Sequence, residues 1–157
     1  MAPEKTTTLR EAARVTAEPT FTPELANRAL VLVGKIVADT VRRYKHLLEL
    51  RRERDELLQS AATRNAPNPA TAARHERMEE LNEDIGRCAE ALNDLHRELL
   101  ATGCVLKDWH SGMVDFPAVH EGRRIWLCWR LGEPAVAHWH EWHAGIAGRR
   151  PLPSNFE

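Results

Sequence analysis

The segment Leu92-Asn93-Asp94-Leu95-His96-Arg97-Glu98-Leu99-Leu100-Ala101-Thr102-Gly103-Cys104-Val105-Leu106-Lys107-Asp108-Trp109 is where the chain changes its hydrophobic period. Upstream, apolar residues recur at Met78, Leu81, Ile85, Cys88, Leu92, Leu95 and Leu99, steps of three and four that make a coiled-coil seam. Gly103 supplies a helix stop. Downstream the pattern alternates, as a strand requires. An earlier helix opens at Thr22-Pro23-Glu24, with an N-cap, a proline at the first helical position and an early acid. Its apolar positions are Leu25, Ala29, Leu32, Val33, Ile36, Val37, Thr40, Tyr44, Leu47 and Leu48. The turn between the helices falls at Asn65-Ala66-Pro67-Asn68-Pro69, where two prolines bar a continuous helix.

The expected fold is therefore α+β: a long antiparallel, coiled-coil-like helical hairpin followed by a small four-stranded antiparallel sheet. The hairpin spans about residues 22–63 and 71–102, with arms roughly 50–60 Å long. The strands fall near 104–109, 113–119, 123–130 and 135–141, separated by Ser111-Gly112, Glu121-Gly122 and Gly132-Glu133-Pro134. Residues 21–152 form one domain, with 103–152 as its C-terminal module. Residues 1–20 and 153–157 read as tails. With simple hairpins throughout, Trp129 opposes Val136, Leu127 opposes His138 and Ile125 opposes His140. That register puts both histidines on the apolar face, with Val105, Trp109, Val114, Phe116 and Ala118. The other face carries Asp108, Asp115, Arg124, Trp126, Cys128, Arg130, Trp139 and Glu141. A slip of one residue would exchange the faces of a strand.

Composition narrows the function classes. Lys and Arg total 22 against 23 for Asp and Glu, so the basic footprint of a nucleic-acid binder is missing. No run of residues has the length and apolarity of a membrane span, and the N-terminus has no apolar signal-peptide core. Cys88, Cys104 and Cys128 are widely spaced, which points to reduced thiols and a cytoplasmic setting; Cys88 and Cys128 read as small core residues. The seam from Met78 to Leu99 is longer than the small module can cover, so a homo-oligomer, most simply a dimer through the arms, is expected.

Four ordered motifs carry a resemblance. They are Gly112-Met113-Val114-Asp115-Phe116-Pro117-Ala118; Leu127-Cys128-Trp129-Arg130-Leu131-Gly132-Glu133; Trp139-His140-Glu141; and Ala144-Gly145-Ile146-Ala147-Gly148-Arg149. With the opening Phe21-Thr22-Pro23-Glu24-Leu25-Ala26-Asn27, they make the chain resemble an uncharacterised bacterial family, domain of unknown function 2203, over residues 21 to about 152. The resemblance implies no activity. Asp115, Arg130, Glu133, His140, Glu141 and Arg149 match the family pattern. The chain departs from it at His138, where an aromatic residue is expected, and at His143, where an acid is.

All five tryptophans and five of the eight histidines lie between Trp109 and His143. Within that stretch, His138-Trp139-His140-Glu141-Trp142-His143 offers three imidazoles in six residues. On a strand His138 and His140 share one side and could reach one metal; His143 joins if the chain bends at Ala144-Gly145. Imidazole nitrogen suits a divalent transition metal such as zinc or iron, and Asp115 or Glu133 would add a carboxylate. Gly132 followed after five residues by His138-Trp139-His140 opens like a cupin motif, but no Glu follows His140 at the required distance. The expected site comprises the ligands His138, His140 and His143, with Asp115, Arg130, Glu133, Glu141 and Arg149 as catalytic groups. An arginine there would grip an anionic small-molecule ligand while an acid or histidine moves a proton. Two functions fit: a small metal-dependent enzyme, or a non-catalytic binding or assembly module using the coiled coil and the Trp-rich sheet.

Overall fold

A computed structural model describes residues 20–62 and 69–156. Helix α1 spans Pro23–Ala62 and helix α2 spans Pro69–Ala101. They are followed by β1 (Val105–Asp108), β2 (Met113–His120), β3 (Arg123–Arg130), β4 (His138–Glu141), a 3₁₀ turn (Ile146–Gly148) and β5 (Arg150–Pro151). The expected inter-helix turn, up to Asn68, and the N-terminal tail to residue 19 lie outside the described residues.

The start of α1 forms as its sequence requires. Thr22 Oγ1 accepts the Leu25 N–H at 3.2 Å, and its carbonyl accepts the Ala26 N–H at 2.9 Å. One face of α1 then buries Ala26, Val33, Ile36 and Val37 against the sheet, with Leu99 of α2 joining them. Farther out the arms pack on each other through Leu47, Leu50, Leu81, Cys88 and Leu92. The seam of α2 thus packs on α1 within the same chain. Leu25 and Leu32, expected on the buried face of α1, are instead 46% and 57% exposed.

The sheet is a five-stranded antiparallel meander in the order β1-β2-β3-β4-β5, one strand more than expected. The extra strand is two residues long and ends in Pro151. A strand that short carries no period to read, and proline is tolerated there because the strand is an edge. The β2–β3 hairpin has the anticipated two-residue turn, with φ of 49° at Glu121 and 73° at Gly122. It pairs His120 with Arg123 and, farther along, Asp115 with Cys128.

The β3–β4 register is one residue away from the expectation. Cys128 pairs with His138, Leu127 with Trp139, Trp126 with His140 and Ile125 with Glu141. The link between these strands is not a tight turn. Trp129 Nε1–H donates to the Glu133 carbonyl at 3.0 Å, and the Val136 N–H donates to Asn27 Oδ1 on α1 at 2.8 Å. Val136 is 3% exposed and enters the core from this link instead of from β4. The slip reverses β4: Trp139 turns to the helices, and His138 and His140 turn to the outer face with Asp115 and Cys128. Glu141 moves to the helix side. Val105 also departs from its expected face, since it pairs with Asp115. Gly112 is required where the sheet meets α1: at φ 68°, an added Cβ would lie 2.8 Å from Val37 and 2.9 Å from Leu131.

Candidate metal centre

The outer face carries two adjacent cross-strand rows. One runs Val105, Asp115, Cys128, His138 and Pro151; the next runs Pro117, Trp126 and His140. An outer face is ordinarily wet, yet Asp115 and His140 are 1% exposed and Cys128 is fully buried. The chain returning from β4 to β5 covers them. Trp142 stacks on Trp126 with centroids 4.0 Å apart, and Arg149 reaches back to Cys128 and Glu133.

His140 and Asp115 form the centre of the site. His140 Nε2 lies 2.8 Å from Asp115 Oδ2. Its Nδ1 lies 2.9 Å from the Glu141 carbonyl oxygen, which can only accept, so Nδ1 carries a hydrogen. One further proton is then shared between Nε2 and Oδ2. Burial lifts the Asp115 carboxyl above its ordinary range, and the charge and hydrogen bond of His140 work against that rise. Asp115 Oδ1 is buried with no hydrogen-bond partner.

Cys128 Sγ sits between Asp115 and Arg149. Burial, and after it the Asp115 charge, push its thiol up to about 11, with Arg149 pulling the other way. It was expected as core filler. It is fully buried, but in the polar row and directly opposite Asp115. Sequence carried a signal for this, because alternation places Cys128 on the same face as Asp115.

One oxygen of Asp115, the sulfur of Cys128 and one nitrogen of His140 all lie within 4.8 Å of one another. Tetrahedral zinc with bonds of about 2.0–2.3 Å would place such atoms about 3.3–3.8 Å apart. The donor set of oxygen, sulfur and imidazole nitrogen suits a divalent transition metal. The three residues therefore could hold such an ion.

Around this centre the structure gathers some of the expected residues and not others. His138 is half-buried opposite Cys128, and its Nδ1 is buried without a hydrogen-bond partner. Glu133 pairs with Arg149 at 2.5 Å. Burial pushes the Glu133 carboxyl up, but the Arg149 hydrogen bond and the Arg130 N–H outweigh it and hold the group below the usual range. Arg130 contributes its backbone, the N–H donating to the Glu133 carboxylate at 2.9 Å and the carbonyl accepting the Glu133 N–H at 3.0 Å, while its side chain is exposed. Glu141 pairs with Arg123 at 3.3 Å and Arg150 at 3.5 Å, away from the buried group. His143 is exposed and stands outside the metal-competent group.

No curated protein and no solved structure matches the chain. A family model does match it, over residues 19–152, the stretch in which the buried Asp115, Cys128 and His140 and the helices beneath them all lie. The chain therefore belongs to the family described as uncharacterized conserved protein, DUF2203.

Proposed function

We propose that the C-terminal module is a metal-dependent site. Asp115, Cys128 and His140 hold a divalent transition metal, zinc or iron, and the Glu133–Arg149 pair closes the chain over it. The observation that carries this reading is the convergence of three chemically suited donor atoms within 4.8 Å in a buried place. Burial makes the charged forms of Asp115 and Cys128 costly on their own, and a dication would offset both. His138, with its unpartnered Nδ1, stands beside the site as a further ligand or proton carrier. In an enzyme, the metal would polarise a bound substrate or water; the Trp126 side of the site is where a small molecule would approach.

The test uses protein purified without a histidine tag. Metal analysis should find about one transition-metal ion per chain, and Co(II) added to stripped protein should give a thiolate-to-cobalt charge-transfer band that Cys128→Ser removes. Absence of both stoichiometric metal and the band would overturn the reading. A second reading is a non-catalytic binding or assembly module in which the Asp115–His140 pair is structural. It is favoured by one observation: both ring nitrogens of His140 already have partners. The metal analysis separates the two.

A further inference from the structure

We propose that residues 142–149 form a lid over the buried Asp115, Cys128 and His140, and that this lid swings open while the sheet and the helices stay folded. The inference concerns access to those side chains and stands without the metal reading. All three lie on the outer face of the sheet, where side chains ordinarily meet water, yet none is more than 1% exposed.

The covering segment is built to move as one piece. Its ends stand side by side, because Trp139 pairs with Arg150 and His138 with Pro151. Its own backbone braces it: the Ala144 N–H donates to the Glu141 carbonyl, the Gly148 N–H to the Gly145 carbonyl and the Arg149 N–H to the Ile146 carbonyl, each at 3.1 Å. A compact loop with its ends together is an Ω-loop. Gly145, at φ 62° and ψ −167°, makes the sharp bend in a conformation essentially reserved to glycine. The grip of this loop on the body is slight. Ile146 is 41% exposed, and the 3₁₀ turn buries no residue. The contacts that fasten it are at its two ends: Trp142 stacks on Trp126, and Arg149 pairs with Glu133. Segments with few buried apolar contacts open well below the free energy of global unfolding. Release of both ends uncovers the outer face at Cys128 and leaves the apolar core, on the other face of the sheet, intact.

The experiment labels full-length protein with iodoacetamide in the presence of a chelator, and follows each cysteine by mass spectrometry over a urea series below the unfolding transition. Burial pushes the Cys128 thiol up to about 11 and raises that of Cys104 as well, so a covered thiol is nearly unreactive and its labelling rate reports opening. Cys104 lies in the apolar core and reports unfolding of the whole domain. Without urea, Cys128 should label about tenfold or more faster than Cys104. Its rate should barely respond to urea, while that of Cys104 climbs steeply. Trp142→Ala removes a stacked aromatic pair with its buried area, and should speed Cys128 about tenfold while leaving Cys104 unchanged. Glu133→Gln keeps the rings in place and should speed Cys128 in the same selective way by a smaller factor. Equal urea dependence of the two thiols in wild-type protein, or no selective gain at Cys128 in Glu133→Gln, would overturn the proposal. The wild-type comparison needs no variant, so it decides even if Trp142→Ala folds poorly.

Discussion

The outer hairpin and the C-terminal module handle charge in opposite ways. Along the arms, charged residues stay in water and pair locally: Arg87 with Asp84, and Arg42 with Asp39, each three residues apart. Arg77 bridges the arms, donating to both Glu53 oxygens at 2.8 and 3.0 Å. Such exposed pairs set register more than they stabilise. The arms are held by a narrow apolar seam. The module has a larger apolar core on one face of its sheet and, on the other, the buried Asp115, Cys128 and His140. Burying groups like these is costly, and the fold concentrates them in one place beneath a covering segment. The contrast places the buried ionisable groups in the module and leaves the arms with exposed pairs around an apolar seam.

The sharpest way to break this contrast is Asp115→Ala in metal-free protein. It removes the acceptor of a fully buried imidazole and should cost about 3 kcal/mol or more in denaturant unfolding. A cost as small as that of an exposed residue would show that the pair is not the buried polar centre described here.

Leu81→Ala probes the other region. Leu81 is fully buried in the distal seam, and truncation of a buried leucine typically costs about 2–5 kcal/mol. A seam this narrow leaves room for collapse, so the lower end is expected. Hydrogen exchange should speed up along the outer arms while β2 and β3 stay protected. Equal loss of protection in the sheet would mean that the arms and module unfold as one unit.

Glu133→Gln is the mildest of the three and works through pH. Glu133 is held below its ordinary value of 4.5, so its stabilising contribution is fully present above that value. The contribution is lost as pH falls through the lowered folded-state value. Thermal melts should therefore separate wild type from Glu133→Gln at pH 7 and bring the two together in strong acid. A gap that is constant with pH would show that the Arg149 pairing does not act through charge.

Much of the scaffold was legible in the sequence because it rests on local signals. The change of period at Gly103 located the end of α2, and Thr22-Pro23 located the start of α1. The turn Glu121-Gly122 gave the β2–β3 register and β3 at its observed bounds. The β4 register was not legible, because it depends on Asn27 of α1 catching Val136 from 109 residues away. That long-range bond removes Val136 from the strand and turns Trp139, not His138, into the core. The candidate site followed the same division. Asp115, His140, Glu133 and Arg149 stood out as ionisable residues on an otherwise apolar module. Cys128 was passed over because a buried cysteine most often fills space, although alternation and the β2–β3 turn already set it on one face with Asp115. The seam from Met78 to Leu99 was legible as apolar positions, and α1 packs on Leu81, Cys88, Leu92 and Leu99 within the chain.

The most direct test of the central claim is a crystal structure of the untagged protein with anomalous data on both sides of the zinc and iron edges. The account predicts one anomalous peak about 2.0–2.3 Å from an Asp115 oxygen, Cys128 Sγ and a His140 nitrogen, with the 2.8 Å Asp115–His140 hydrogen bond opened to admit the ion. An undisturbed hydrogen bond with no peak there, from crystals grown with added zinc, would contradict it.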